Sequence, residues 1–159
     1  MSDLMSKLVS EATIAGADEF RQRFRSAKPF RHLAIDGFFT DRTASQLLEA
    51  FPAFDEKLAM NENGEVGGKA VNEQVRKLGP VYRELDDLVQ SEEFRALVSR
   101  MTGIPNLQYD PHYFGGGTHE NLHGQALDAH VDFTFHPITR QHRRLNMIFY
   151  LTEDWQDEW

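Results

Sequence analysis

The chain has 159 residues, with 17 Lys and Arg against 25 Asp and Glu, giving a net charge of −8 at neutral pH. That balance argues against a nucleic-acid partner, which needs clustered Lys and Arg, and the absence of cysteine excludes disulfides, thiolate metal sites and a cysteine nucleophile. An apolar fraction of 40% with twelve phenylalanines suits one packed domain. No run has the apolar length of a signal peptide or membrane span, so a soluble cytoplasmic protein is the expectation.

In chain order, residues 3–25 carry Leu4, Leu8, Phe20 and Phe24 at loosely helical spacing, which predicts one or two amphipathic helices ended by Lys28-Pro29. Residues 30–36 alternate well enough for a short strand closed by Gly37. Thr40 offers an N-cap to a helix with Ala44, Leu47, Leu48 and Phe51 on its apolar face, and Pro52 ends it. Residues 55–79 are polar and hold Gly64, Gly67, Gly68 and Gly79, the pattern of a long loop or lid. Pro80 opens a helix with Val81, Leu85, Leu88 and Val89 inward. A second helix after Ser91 turns Phe94, Leu97, Val98 and Met101 inward and stops at Gly103 and Pro105.

From Leu107 onward β-branched and aromatic residues dominate. Residues 107–114, 125–135 and 145–151 read as strands, with Gly115-Gly116-Gly117 as a turn. Helices followed by strands predict an α+β single domain over 1–159. Residues 1–105 form a helical support with one early strand, and residues 106–159 form the first half of an antiparallel barrel or sandwich. An eight-stranded double sheet needs several more strands, so the chain reads as cut short.

His130-Val131-Asp132 carries the sharpest chemistry. Side chains at i and i+2 of a strand share a face, with Cα atoms roughly 6–7 Å apart, so both can meet one metal ion while Val131 turns into packing. One histidine and one carboxylate make two-thirds of the facial triad that holds non-haem Fe(II). The same pair also fits a strand histidine bonded to its neighbour, or two polar residues on an edge. In the strand 145–151, Leu145, Met147, Phe149 and Leu151 share a core face, while Asn146, Ile148 and Tyr150 share a mixed face suited to a pocket. Tyr150 fits equally a core tyrosine with a satisfied hydroxyl. His112, His119 and His123 sit in a Gly- and Asn-rich hairpin and read as solvated. Gly115-Gly116-Gly117 lacks the Lys-Ser/Thr of a phosphate loop, and the acidic groups at 153–154 and 157–158 read as a solvated turn.

Residues 113–159 resemble the 2-oxoglutarate- and Fe(II)-dependent oxygenases of the prolyl 4-hydroxylase type. The likeness runs through Tyr113-Phe114-Gly115-Gly116-Gly117, His130-Val131-Asp132, an Arg-initiated strand ending Phe149-Tyr150-Leu151, and Thr152-Glu153-Asp154-Trp155, with residues 29–39 resembling an opening strand of such enzymes. The resemblance implies a double-stranded β-helix of the jelly-roll or cupin kind. It implies a dioxygenase that hydroxylates an unactivated C–H bond with succinate and CO2 as co-products. Its cofactors are Fe(II) and 2-oxoglutarate, with ascorbate as a further candidate, and its partners are O2 and a small-molecule or peptidyl substrate, not nucleic acid or membrane. His130 and Asp132 become the first two iron ligands. Tyr150 donates its hydroxyl to a carboxylate of 2-oxoglutarate, Asn146 and Ile148 line the same pocket, Tyr113 is a further co-substrate contact, and Arg143 is structural.

The third iron ligand and the distal Arg or Lys have no counterpart before Trp159. His119, His123, His136 and His142 flank the pair from loops and strand ends, and weak or no turnover is expected of these 159 residues alone. Substrate choice falls to the loop 55–79 and the hairpin 115–124. Two other readings stay open: a non-catalytic β-helix module binding a sugar or acid, and an interaction domain working through its helical first hundred residues.

Overall fold

The computed structural model describes residues 2–60, 64–122, 124, 130–153 and 156. Instead of one or two N-terminal helices there are three: α1 (Asp3–Leu8), α2 (Glu11–Ala15) and α3 (Ala17–Ser26). Ser2 opens the first, Ser10 divides α1 from α2, and Gly16 divides α2 from α3. The Ser2 hydroxyl accepts from the Met5 amide and the Ser10 hydroxyl from the Thr13 amide, and each such bond satisfies a free helix-end donor. At the α1–α2 junction the backbone turns out to meet residues 38–40, with Ser10 N donating to Phe38 O at 3.0 Å and Thr40 N to Leu8 O at 3.0 Å.

Three further helices follow where their caps place them. Thr40 caps α4 (Asp41–Glu49) through the Thr43 amide, Pro80 opens α5 (Pro80–Gln90), and Ser91 caps α6 (Glu92–Thr102) through the Phe94 amide. Gly103 ends α6 at φ +71°, a left-handed position that a side chain would strain. Helix α3 packs along α6, and Arg100 spans the pair to Asp18 with contacts of 2.8 and 2.5 Å.

The β-helix expectation is overturned. Among the described residues the only sheet has two short antiparallel strands, β1 (Ala70–Asn72) and β2 (Thr118–Glu120), with Val71 opposite His119. β1 lies inside the stretch expected to be a loop, and β2 inside the expected hairpin. Residues 30–36, 107–114 and 145–151 form no strand ladder. The physical reason is that apolar alternation reports which face is buried, whereas a strand also needs a neighbour for its backbone hydrogen bonds. At 145–151 the alternation is present in part: Leu145, Phe149 and Leu151 are half-buried and Asn146, Ile148 and Tyr150 are exposed, but Met147, expected on the core face, is exposed as well. Of the expected strand 125–135, residues 130–135 form no strand, Phe135 making only an isolated bridge to His142, while residues 125–129, His123, Trp155 and the acidic groups at 154 and 157–158 lie outside the described residues.

The sheet depends on Gly117. A Cβ there would stand 2.2 Å from the Asn72 carbonyl oxygen, and the residue's φ is +95°. Both the contact and the dihedral exclude an ordinary side chain. Gly117→Ala is therefore expected to separate β2 from β1, with a loss of at least ~1–3 kcal/mol in chemical denaturation and faster amide exchange at Val71 and His119.

Two apolar clusters hold the helices. One gathers Met5, Leu8, Val9, Ala17 and Leu88 around the α6 residues Phe94, Leu97, Val98 and Met101. The other joins Phe39, Leu47, Val75, Val81, Tyr82 and Leu85, and the buried Tyr82 hydroxyl donates to Leu47 O at 3.0 Å. Leu145 packs on the first cluster while Phe149 and Leu151 pack on the second, so residues 145–151 lie across both. Full burial of one such large side chain contributes about 1.5–3 kcal/mol.

Asp86 stands buried beside these clusters. Its carboxylate accepts from the Tyr109 hydroxyl, from Arg76 Nη1 at 2.6 Å and from the Tyr113 hydroxyl at 2.7 Å. Burial alone pushes this carboxyl up, but the hydrogen bonds from Tyr109, Arg76 and Tyr113 outweigh it and hold it below its ordinary 3.8. A carboxyl lowered on folding adds stability above its unfolded value, and that contribution fades as pH falls through the folded value. Asp86→Asn is expected to lower stability at neutral pH by about 2–3 kcal/mol. It should also flatten the acid limb below pH 3.8 in a urea titration series.

Candidate functional site

A hairpin-like turn over residues 134–143 positions the site. Arg143 N donates to Thr134 O at 2.8 Å, His136 N to Gln141 O at 2.9 Å, and Arg140 N to His136 O at 2.9 Å. Phe135 pairs with His142 across the turn, their rings 4.1 Å apart, and Arg140 sits at φ +59° to close it. The His136 ring organises the turn from within. Its Nδ1 accepts from the Ile138 amide at 3.1 Å and the Thr139 amide at 3.0 Å, doing for this loop what an Asx side chain does elsewhere. Nδ1 being an acceptor twice, the neutral ring carries its proton on Nε2.

The turn delivers Arg143 to Asp132. The guanidinium lies 4.6 Å above the Phe133 ring, and Nη2 approaches Asp132 Oδ2 at 3.4 Å. The other oxygen, Oδ1, is 3.7 Å from His130 Nε2. So His130 and Asp132 do face each other, and Arg143 joins Asp132 from the other side. Val131, expected to turn into packing, is 94% exposed, because no described segment covers that side.

The remaining predicted residues divide. Asn146 lines a small recess of about 300 Å3 together with Asp132, Phe133 and Arg143. Ile148 and Tyr150 lie on the exposed side of their segment, at 61% and 75% exposure. Tyr113, at φ +50°, gives its hydroxyl to Asp86, and burial followed by that hydrogen bond pushes its ionisation far above the ordinary tyrosine range.

Two donors on one ion at about 2.1 Å stand about 3.0 Å apart in octahedral and about 3.4 Å apart in tetrahedral geometry. The 3.7 Å between Nε2 and Oδ1 lies a few tenths of an ångström beyond that range. A third donor is another matter. Among the described residues no group of three His, Asp or Glu side chains is placed to hold a metal ion. His119, on β2, stands near enough for the Asp132 charge to act on it. Desolvation and then Lys69 push its imidazole below the ordinary value, against weaker opposite pulls from Gly116 and Asp132.

A larger cavity of about 580 Å3 opens on the far side of residues 143–146, floored by Phe94, Val98, Leu107 and Leu145. His136 borders it at 6% exposure. Its Nε2 makes no hydrogen bond among the described residues, although Asp110 Oδ1 lies 3.2 Å away, close enough for attraction but out of line for a bond. Sequence reasoning placed His136 only as a flanking histidine; a histidine before Pro137 at the mouth of a short turn was the available signal. Arg143, expected to be structural, is also the charge partner of Asp132.

Comparison with protein-family models, with curated proteins and with solved structures returns no match. No helix among the described residues is long and apolar enough to cross a membrane.

The acceptor role of Nδ1 can be checked directly. His136→Ala strands two amides and is expected to cost about 1–3 kcal/mol in urea denaturation. His136→Asn, whose carboxamide oxygen reaches the same amides, should recover most of that loss.

Proposed function

We propose that this chain takes part in Fe(II)- and 2-oxoglutarate-dependent hydroxylation of an unactivated C–H bond, with His130 and Asp132 as metal donors. The observation that supports this most is the approach of His130 Nε2 to Asp132 Oδ1 at 3.7 Å, with Asp132 on a recess that Asn146 also lines. The order of the short motifs along residues 113–155 supports it further. When bound, the ion and its keto-acid partner supply the oxidising chemistry. His130 would bind through a neutral imidazole and Asp132 as a carboxylate, so acid weakens the site. Arg143 competes with any cation for Asp132 and so keeps the empty carboxylate paired. Asn146 and Tyr150 would serve the co-substrate, and His130 and Asp132 would be two of the three protein donors such a centre uses.

A second reading has its own support. Because Asp132 is already engaged by Arg143 and no described third donor joins it, a module that binds an organic acid without redox chemistry fits the same residues.

Anaerobic titration with Fe(II) and 2-oxoglutarate separates the two. The oxygenase reading expects the weak visible charge-transfer band of the chelate, lost in His130→Ala and in Asp132→Ala. It also expects Arg143→Gln, which removes the competitor, to tighten Fe(II) binding. A band that survives both donor substitutions, or no band at all, overturns it.

A further inference from the structure

We infer that the 580 Å3 cavity beside residues 143–146 is a binding site for a small organic carboxylate with an aromatic or aliphatic body. The inference does not rest on iron.

Size comes first. A volume of about 580 Å3 falls within the range of roughly 300–1,000 Å3 typical of small-molecule sites. Its floor is apolar, made by Phe94 and Val98 of α6 with Leu107 and Leu145, and such a floor takes a hydrocarbon body rather than a bare ion.

Charge sets the class of ligand. The chain as a whole carries −8, yet the cavity lining holds Arg95, Arg140, Arg143 and Arg144 against the single carboxylate of Asp110. A concentration of cations in a concave, low-dielectric wall focuses a field that attracts anions, and this one runs opposite in sign to the rest of the protein. Arg143 already serves Asp132, but Arg140 and Arg144 make no ion pair among the described residues. Guanidinium forks match a planar carboxylate in two parallel hydrogen bonds.

One donor is already fixed. His136 is more than nine-tenths buried, its tautomer is set by the Ile138 and Thr139 amides, and its Nε2 borders the cavity with no hydrogen bond made. A buried donor left unsatisfied costs about 1–3 kcal/mol, which a ligand oxygen would recover. Asp110 faces the same nitrogen at 3.2 Å without a hydrogen bond, and its oxygens accept instead from the His112 amide at 2.9 Å and the Phe114 amide at 3.1 Å.

The test uses the full chain in excess EDTA, so that metal plays no part and the outcome is independent of the oxygenase reading. Phenylacetate is titrated while methyl resonances of Val98, Leu107 and Leu145 are followed by NMR, with phenylacetamide as the uncharged control. Saturable shifts with a Kd of about 1 mM are expected, at least about tenfold weaker for the amide. The Arg140→Gln/Arg144→Gln double variant and, separately, His136→Asn should each weaken binding several-fold while keeping the native circular dichroism. Absence of saturable shifts overturns the proposal, as does equal affinity for the amide. Binding that survives both sets of substitutions places the ligand elsewhere and also overturns it. Tighter binding of phenyl phosphate than of phenylacetate would replace the carboxylate class by phosphate.

Discussion

The carboxylate of Asp86 is the interaction on which the rest of the structure leans. It is a charge placed inside the fold, tolerable only because an arginine and two tyrosines give it their protons to share. Those donors come from two places: Arg76 from the turn before α5, and Tyr109 and Tyr113 from the irregular segment after α6. That segment has no strand ladder of its own, so side-chain bonds to Asp86 do for it what backbone pairing does for a sheet. Asp110 lies between the two tyrosines, and through it the His136 turn is set against the helical body.

How much of this was readable from sequence depended on whether the signal was local. Thr40, Pro80, Ser91 and Gly103 mark helix ends because a cap acts within a few residues of itself, and each stands at the boundary it announces. Ser10 and Gly16 do the same, yet they were submerged in the wider apolar spacing of residues 3–25. Strand β1 could not be read: three residues are too few for a period, and what holds them is a glycine far along the chain. The expected β-helix fails for the complementary reason. Leu145, Phe149 and Leu151 do face inward, but facing inward is a property of one segment and pairing is a property of two.

The candidate site divides along the same line. His130 and Asp132 were visible because their spacing alone puts them side by side. Arg143 reaches Asp132 only because the intervening turn folds back, and that turn is held by the ring nitrogen of His136, a contact that no spacing rule contains. Arg143, Arg144 and Asn146 border both recesses, so the two share a wall, and Asp132 belongs to the smaller one alone.

The unladdered stretch that crosses both apolar clusters carries a colloidal cost. Leu145, Phe149 and Leu151 are only half-buried, Met147 and Ile148 are exposed, and no backbone hydrogen bond joins residues 145–149 to a described neighbour. Such a run is a template for sticking to another copy of itself. The paired arginines 143 and 144 stand directly before it, where like charge keeps two such runs apart, so the cations that shape the cavity also act as gatekeepers against aggregation.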